Sequence, residues 1–236
     1  MRQANLKGKA SVGKGLFITF EGGEGAGKST QIRRLADRLR DYARELVVTR
    51  EPGGTELAER LREIILSGGA KKFGPLGEAV LFSAARIDHI DKVIAPALSR
   101  GAVVLCDRFA DSTRAYQGAR GEVAEAAMDA LEQAALAGCR PDLTFILDLA
   151  PDIGLARAKN RRGEGAADRF EGEADSFHGL LREKFRDIAG AEPNRCRLID
   201  AERSQDEVAA AIWQAMAEKF RQREHEAEAP AEASQP

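Results

Sequence analysis

The octapeptide Gly22-Gly23-Glu24-Gly25-Ala26-Gly27-Lys28-Ser29 restricts the fold of this chain more than any other feature. It lies between the apolar run Gly15–Glu21 and a stretch of helical periodicity that opens at Ser29. It satisfies G-x-x-x-x-G-K-[ST] in the strand–turn–helix setting that turns the pattern into a site. Glycines let successive backbone N–H groups curl around phosphate oxygens, and the start of a helix adds positive potential. Gly22, Gly23, Glu24, Gly25, Ala26, Gly27, Lys28, Ser29 and Thr30 are therefore read as the cradle of a nucleoside triphosphate bound with Mg²⁺. Lys28 is placed to reach the β and γ phosphates, and the Ser29 hydroxyl to ligate the metal.

The rest of the chain alternates short apolar runs with helical stretches. Leu16–Phe20, Leu46–Thr49, Val103–Cys106, Leu143–Leu149 and Arg197–Ile199 read as strands buried on both faces, as in the centre of a parallel sheet. Helical periodicity fills Ser29–Tyr42, Thr55–Leu66, Leu76–Ser99, Val123–Ala137, Asp152–Arg161, Phe177–Ala189 and Asp206–Phe220. Pro96 should kink or end the third of these. The alternation predicts right-handed crossovers and a three-layer α/β/α domain with a central parallel sheet. Residues 15–220 form that domain, between a basic leader (1–14) and an Ala-, Glu- and Pro-rich tail (221–236), both expected to be disordered. Asn160–Glu173, rich in glycine and charge, is expected to be a mobile lid, too charged for the core.

Charge excludes one class of partner. A formal net charge of −2 gives no electrostatic basis for non-specific nucleic-acid binding, so an anionic ligand must be held by local arginine and lysine clusters. No segment approaches the ~20 apolar residues of a membrane span. The three cysteines, Cys106, Cys139 and Cys196, have neither metal-ligand nor redox spacing and read as reduced thiols of a cytoplasmic protein.

Ala102–Asp107 is an apolar strand that ends in a carboxylate, the usual partner of such a loop in holding Mg²⁺. Arg50 and Arg108 also stand at strand ends, where ligands of open α/β sheets bind. Their forked donors suit a second phosphate group, which a phosphotransferase needs and a switch protein does not. The stretch Arg157–Arg169, with Arg157, Lys159, Arg161, Arg162 and Arg169, can act as a flap that closes over the phosphates and spreads positive charge over a transferring phosphoryl group. A solvated charged loop fits that composition equally well.

Taken together, the motifs resemble the thymidylate kinases, from about Gly15 to Phe220. The resemblance is carried by Thr49-Arg-Glu-Pro-Gly-Gly-Thr55, Leu81-Phe-Ser-Ala-Ala-Arg86 with His89, Asp107-Arg-Phe-x-x-Ser112, Ala115-Tyr-Gln-Gly118 and Pro141-Asp-Leu-Thr144. It implies a nucleoside monophosphate kinase fold, transfer of a phosphoryl group from ATP to dTMP, and a homodimer in which the apolar helical faces at Leu76–Ile94 pair or else cover the sheet. It further implies that Arg50 and Arg108 grip the dTMP phosphate, Phe82 stacks on thymine and Arg86 bonds its exocyclic oxygen. Thr113 or Gln117 would complete base recognition. Tyr116 would lie where a ribose 2′-hydroxyl would sit, and Glu24 would accept from the 3′-hydroxyl. Lys28, Asp107, Arg108 and Arg162 would carry catalysis, with Ser29 and Asp107 on the metal and Arg161, Arg162 and Arg169 in the lid. The resemblance also suggests a cis Glu51–Pro52 bond and a structural hydrogen bond for His89.

Some thymidylate kinases carry an arginine inside the phosphate loop. Gly25 occupies that position here, so the chain resembles the bacterial kind in which lid arginines take over. Phe109 stands where Tyr or His is common. Another nucleoside monophosphate or deoxynucleoside kinase remains an alternative. A P-loop switch GTPase is less well supported, because the chain has no Asn-Lys-x-Asp and the metal strand continues Asp107-Arg-Phe-Ala.

Overall fold

The computed structural model describes residues 15–121, 123–162, 170 and 172–228. Five parallel strands form one sheet in the order β2-β3-β1-β4-β5, with β1 (Leu16–Glu21), β2 (Leu46–Arg50), β3 (Val103–Asp107), β4 (Leu143–Asp148) and β5 (Cys196–Asp200). β1 is central and every one of its residues is buried. Because successive side chains alternate faces, Leu16, Ile18 and Phe20 enter one half of the core, and Phe17, Thr19 and Glu21 face the other. The first half is filled by Ile32, Leu35 and Leu39 of α1 (Lys28–Leu39) and by Val208, Ile212 and Met216 of α9 (Gln205–Glu228). Each fully buried large side chain contributes about 1.5–3 kcal/mol, so this apolar seam anchors the phosphate loop from below.

The opposite face is covered by α2 (Glu56–Leu66), α3 (Gly74–His89), α4 (Ala95–Ser99), α5 (Ala110–Arg120), α6 (Glu125–Leu136) and α8 (Asp175–Ala191), while α7 (Pro151–Arg162) follows β4. Its core is mixed: Phe17 packs edge-on against Phe109 at 4.8 Å, while Thr19 Oγ1 lies 2.7 Å from Thr144 Oγ1. Arg195 donates to Thr144 Oγ1 at 2.7 Å and to both oxygens of the buried Asp111. The polar face of the sheet is therefore the one beneath the functional cavity.

Several expectations need correction. Pro96 does not end its helix. A π-helical turn at Ile90–Ile94 precedes it, and α4 then carries the proline near its start, where a missing N–H matters least. α5 was not expected as a helix, because Asp111, Thr113 and Gln117 face inward and remove the apolar period. α9 runs eight residues past the expected end of the domain, to Glu228; Arg223 Nη1 donates to Gly15 O at 3.1 Å and ties that extension to the start of β1. Asn160–Arg162 of the expected lid belongs to α7. Phe170, in a stretch expected to be too charged for the core, is 6% exposed. Residues 163–169, Arg169 among them, residue 171, the leader and residues 229–236 lie outside the described residues, as does the Arg162 side chain. Among the described residues, no helix is long and apolar enough to cross a membrane.

Candidate active site

A cavity of about 540 Å³ opens at the carboxyl ends of β1, β2 and β3, lined by the phosphate loop, Arg50, Phe82, Arg86, Asp107, Arg108, Thr113, Tyr116, Gln117 and Arg161. The loop reaches it because Gly22, Gly25 and Gly27 take φ values of 130°, 67° and 91°. Such angles suit glycine and few other residues. Gly25 has a second reason. A Cβ there would lie 2.0 Å from Gly154 O, and one on Gly154 would lie 2.3 Å from Glu24 O. Loop and α7 thus touch backbone to backbone. Gly27 caps α1 without a side-chain bond, which leaves the first helical N–H groups directed at the cavity.

Lys28 Nζ donates to Gly22 O at 3.0 Å and to Gly23 O at 2.9 Å. Burial and the neighbouring Arg108 charge push its pKa down to about 8, against Glu24, Asp107 and Glu21. The Ser29 hydroxyl donates to Asp107 Oδ2 at 2.6 Å. Two oxygens brought together in this way fit a hard cation that takes its remaining ligands from phosphate and water. No cluster of three or more His, Cys, Asp or Glu suited to a metal occurs among the described residues.

Arg108 connects the two halves of the cavity. Its backbone is left-handed, with φ 68°, a conformation that costs a residue bearing a side chain about 1–3 kcal/mol. Arg108 N donates to Phe20 O at 2.9 Å. Its Nη1 donates to Gly22 O and Ser112 Oγ, both at 3.1 Å, and its Nη2 to Glu24 Oε1 at 2.6 Å. Burial acts against the charge, but Tyr116, Glu24, Asp107 and Glu21 more than offset it and hold the guanidinium protonated. Tyr116 OH also donates to Glu24 Oε1, at 2.8 Å. Burial would raise the Glu24 pKa; Arg108, Lys28 and the Tyr116 hydroxyl instead hold it down at about 2. Behind them, burial and Asp111 push Glu21 up to about 8.

The far wall is apolar with a few aimed polar groups, as ligand sites commonly are. Arg86, 2% exposed, donates through Nε to Glu51 Oε2 at 2.8 Å and through Nη2 to Thr113 Oγ1 at 2.9 Å. Glu51, joined to Pro52 by a cis peptide bond, lies 2.9 Å from His89 Nδ1, whose Nε2 is 2.7 Å from Thr49 Oγ1. His89 is thus occupied in holding the turn. Gln117 is 1% exposed and, among the described residues, neither amide atom has a hydrogen-bond partner. Tyr116, 6% exposed, packs edge-on against Phe170 at 5.0 Å, and Phe82 lies 6.3 Å from the same ring. Arg50 lines the cavity with its guanidinium on Glu59, at 2.9 and 3.0 Å.

Sequence reading missed several lining residues, Phe170, Arg33 and Arg62 among them. Phe170 is the single aromatic in a charged stretch, the only trace it left. Arg33, one turn after Ser29, and Arg62, whose Nη1 donates to Pro52 O at 2.8 Å, carried no motif. A second cavity of about 580 Å³ lies across the loop, between Arg157 and Arg161 of α7 and the turn Ala201–Gln205. That turn left no signal either, because backbone and not side-chain identity shapes it.

A family model described as thymidylate kinase matches residues 20–212. A thymidylate kinase from Bradyrhizobium diazoefficiens is 56% identical over 210 residues, covering 89% of this chain and 92% of that protein. One from Nitrobacter hamburgensis is 52% identical over 211 residues, with the same coverages of 89% and 92%. Among solved structures, a thymidylate kinase from Ehrlichia chaffeensis superposes with a TM-score of 0.69 at 32% identity, over 86% of this chain and 99% of that one.

Proposed function

Since the chain belongs to the thymidylate kinase family, and so moves the γ-phosphoryl group of ATP to dTMP to give dTDP and ADP on the way to dTTP, we propose the following division of labour among its residues. The loop amides and Lys28 hold the β and γ phosphates of ATP. Ser29 and Asp107 hold Mg²⁺, which when bound draws charge from the phosphate oxygens. Arg108 and Arg50 bind the dTMP phosphate, Arg50 exchanging Glu59 for it. Glu24, an anion across the accessible pH range, accepts from the sugar 3′-hydroxyl. Phe82 stacks on thymine, Gln117 pairs with its edge, and Arg86, fixed by Glu51 and Thr113, offers its remaining Nη1 donors to the exocyclic oxygen. Tyr116 closes the space a ribose 2′-hydroxyl would need. Arg161, Arg162 and Arg169 neutralise the transferring group, with Arg161 in the cavity wall as support. Transfer is direct and in line, because phosphoryl transfer asks mainly for positioning and charge.

One observation carries this reading. The Ser29–Asp107 pair and the Arg108–Glu24–Tyr116 cluster line one cavity, so donor and acceptor sites share a wall. The test is ADP release from ATP-Mg with dTMP, dUMP, dCMP, dGMP and AMP. dTMP should be the best acceptor. A better acceptor among the others would overturn the base assignments, and hydrolysis indifferent to every monophosphate would overturn the acceptor site.

We further propose a homodimer. Ile90 and Ile94 cover the sheet, whereas Leu57 and Ile64 of α2 and Leu76, Val80 and Ile87 of α3 are exposed, forming an apolar surface suited to a second copy. Residues 15–220 act as one domain with a lid at about 160–173. The net charge of −2 argues against a nucleic-acid partner. The free thiols Cys106, Cys139 and Cys196 fit a cytoplasmic enzyme.

A further inference from the structure

We propose that Glu21, a buried acidic residue with no part in the scheme above, is the positioning residue that aims Arg108 at the acceptor phosphate. The inference rests on the reading of Arg108 as the ligand of that phosphate.

Glu21 ends β1 on the face turned toward α5 and is 0% exposed. A carboxyl group there is costly to bury without hydrogen bonds, and both of its oxygens have them. Oε1 accepts from Phe109 N at 2.8 Å, and Oε2 accepts from the Ser112 hydroxyl at 2.5 Å.

These two donors bracket Arg108. Phe109 N belongs to the peptide that follows it, so holding that N–H fixes the plane on the carbonyl side of Arg108. The preceding peptide is held independently, by Arg108 N donating to Phe20 O. A left-handed residue with a side chain persists only where its surroundings over-determine it, and these two bonds are the clamps on either side. Ser112 acts on the other end of the same residue. With its proton given to Glu21, its oxygen is left to accept Arg108 Nη1 at 3.1 Å. Nη2 is thereby directed to Glu24. A single buried carboxyl group therefore governs both the backbone turn and the head group of Arg108. A residue serving only the core at this position would need neither oxygen.

The test compares Glu21→Gln and Ser112→Ala with Arg108→Ala, reading KM for dTMP, KM for ATP, kcat, and inhibition by thymidine, which has base and sugar but no phosphate. If Glu21 positions Arg108, both variants raise KM for dTMP roughly tenfold, with KM for ATP and thymidine inhibition within about twofold of wild type. The Ser112→Ala/Arg108→Ala double variant should then be no weaker for dTMP than Arg108→Ala alone, since the serine acts through the arginine. A normal KM for dTMP in both variants, with a raised one in Arg108→Ala, would overturn the positioning role and leave the acceptor reading intact. A normal KM in Arg108→Ala would overturn the acceptor reading, and this inference with it. Equal weakening of dTMP and thymidine would mean that Glu21 only supports the fold. Should Glu21→Gln fail to fold, Ser112→Ala and the double variant decide the matter.

Discussion

The Arg108 guanidinium and the Glu24 carboxylate meet at 2.6 Å with side-chain exposures of 17% and 14%, so the end of β3 is fastened to the phosphate loop by a partly buried ion pair. The Glu24 pKa of about 2 lies below its ordinary 4.5, so the folded state favours the anion. Its contribution to stability is complete above 4.5 and is lost as pH falls toward about 2. Glu24→Gln should therefore lower stability at pH 7 by about 1–3 kcal/mol, with the gap from wild type closing in acid. Thermal melts of both proteins at pH 7, 4 and 3 check this. A gap that stays constant to pH 3 would contradict it.

Lys28 Nζ donates to the loop carbonyls of Gly22 and Gly23. Lys28→Ala should lower kcat by about a hundred- to a thousandfold, the scale seen when a donor to a developing charge is removed. KM for dTMP should hardly move. Steady-state kinetics with dTMP varied at saturating ATP separate the two, and unchanged turnover would remove Lys28 from the mechanism.

Gln117 has both amide atoms buried without hydrogen-bond partners among the described residues. Such a group destabilises the protein by about 1–3 kcal/mol, so Gln117→Leu should melt no lower than wild type. The same variant should bind dTMP about tenfold more weakly, because the base edge loses its partner. Calorimetry of melting and of dTMP binding reads the two effects separately. A loss of both stability and affinity would assign Gln117 to the core.

Leu76 and Val80 stand 50% and 46% exposed on α3. Leu76→Glu with Val80→Glu should convert a dimer into a folded monomer, as judged by light scattering and circular dichroism. A wild-type protein monomeric at micromolar concentration, or a variant still dimeric, would remove this face as an interface.

The central strands were legible because a parallel sheet covered on both faces leaves nearly uninterrupted apolar runs, as in Val103–Cys106. The edge strands β2 and β5, also expected to be buried on both faces, are instead partly exposed, with Val48 at 53% and Leu198 at 46%. The phosphate loop was legible because its glycines answer to backbone geometry. α5 was not, since Asp111, Thr113 and Gln117 turn inward toward a polar seam and the cavity, so the helix has no apolar stripe. The π-helical turn before Pro96 was hidden for another reason: it reconciles a proline with a continuing helix through hydrogen bonding that composition does not record. Glu21 reads as an ordinary strand-end acid. Its importance depends on where Phe109 N and Ser112 fall, and that is a property of the β1–β3 register.

Gly25 and Gly154 leave no room for a side chain on either partner. An arginine at position 25 would therefore demand a rearranged α7. Two hydrogens, standing where side chains would otherwise be, keep a guanidinium out of this turn and, on the reading proposed above, leave the neutralising of the transferring group to arginines beyond it.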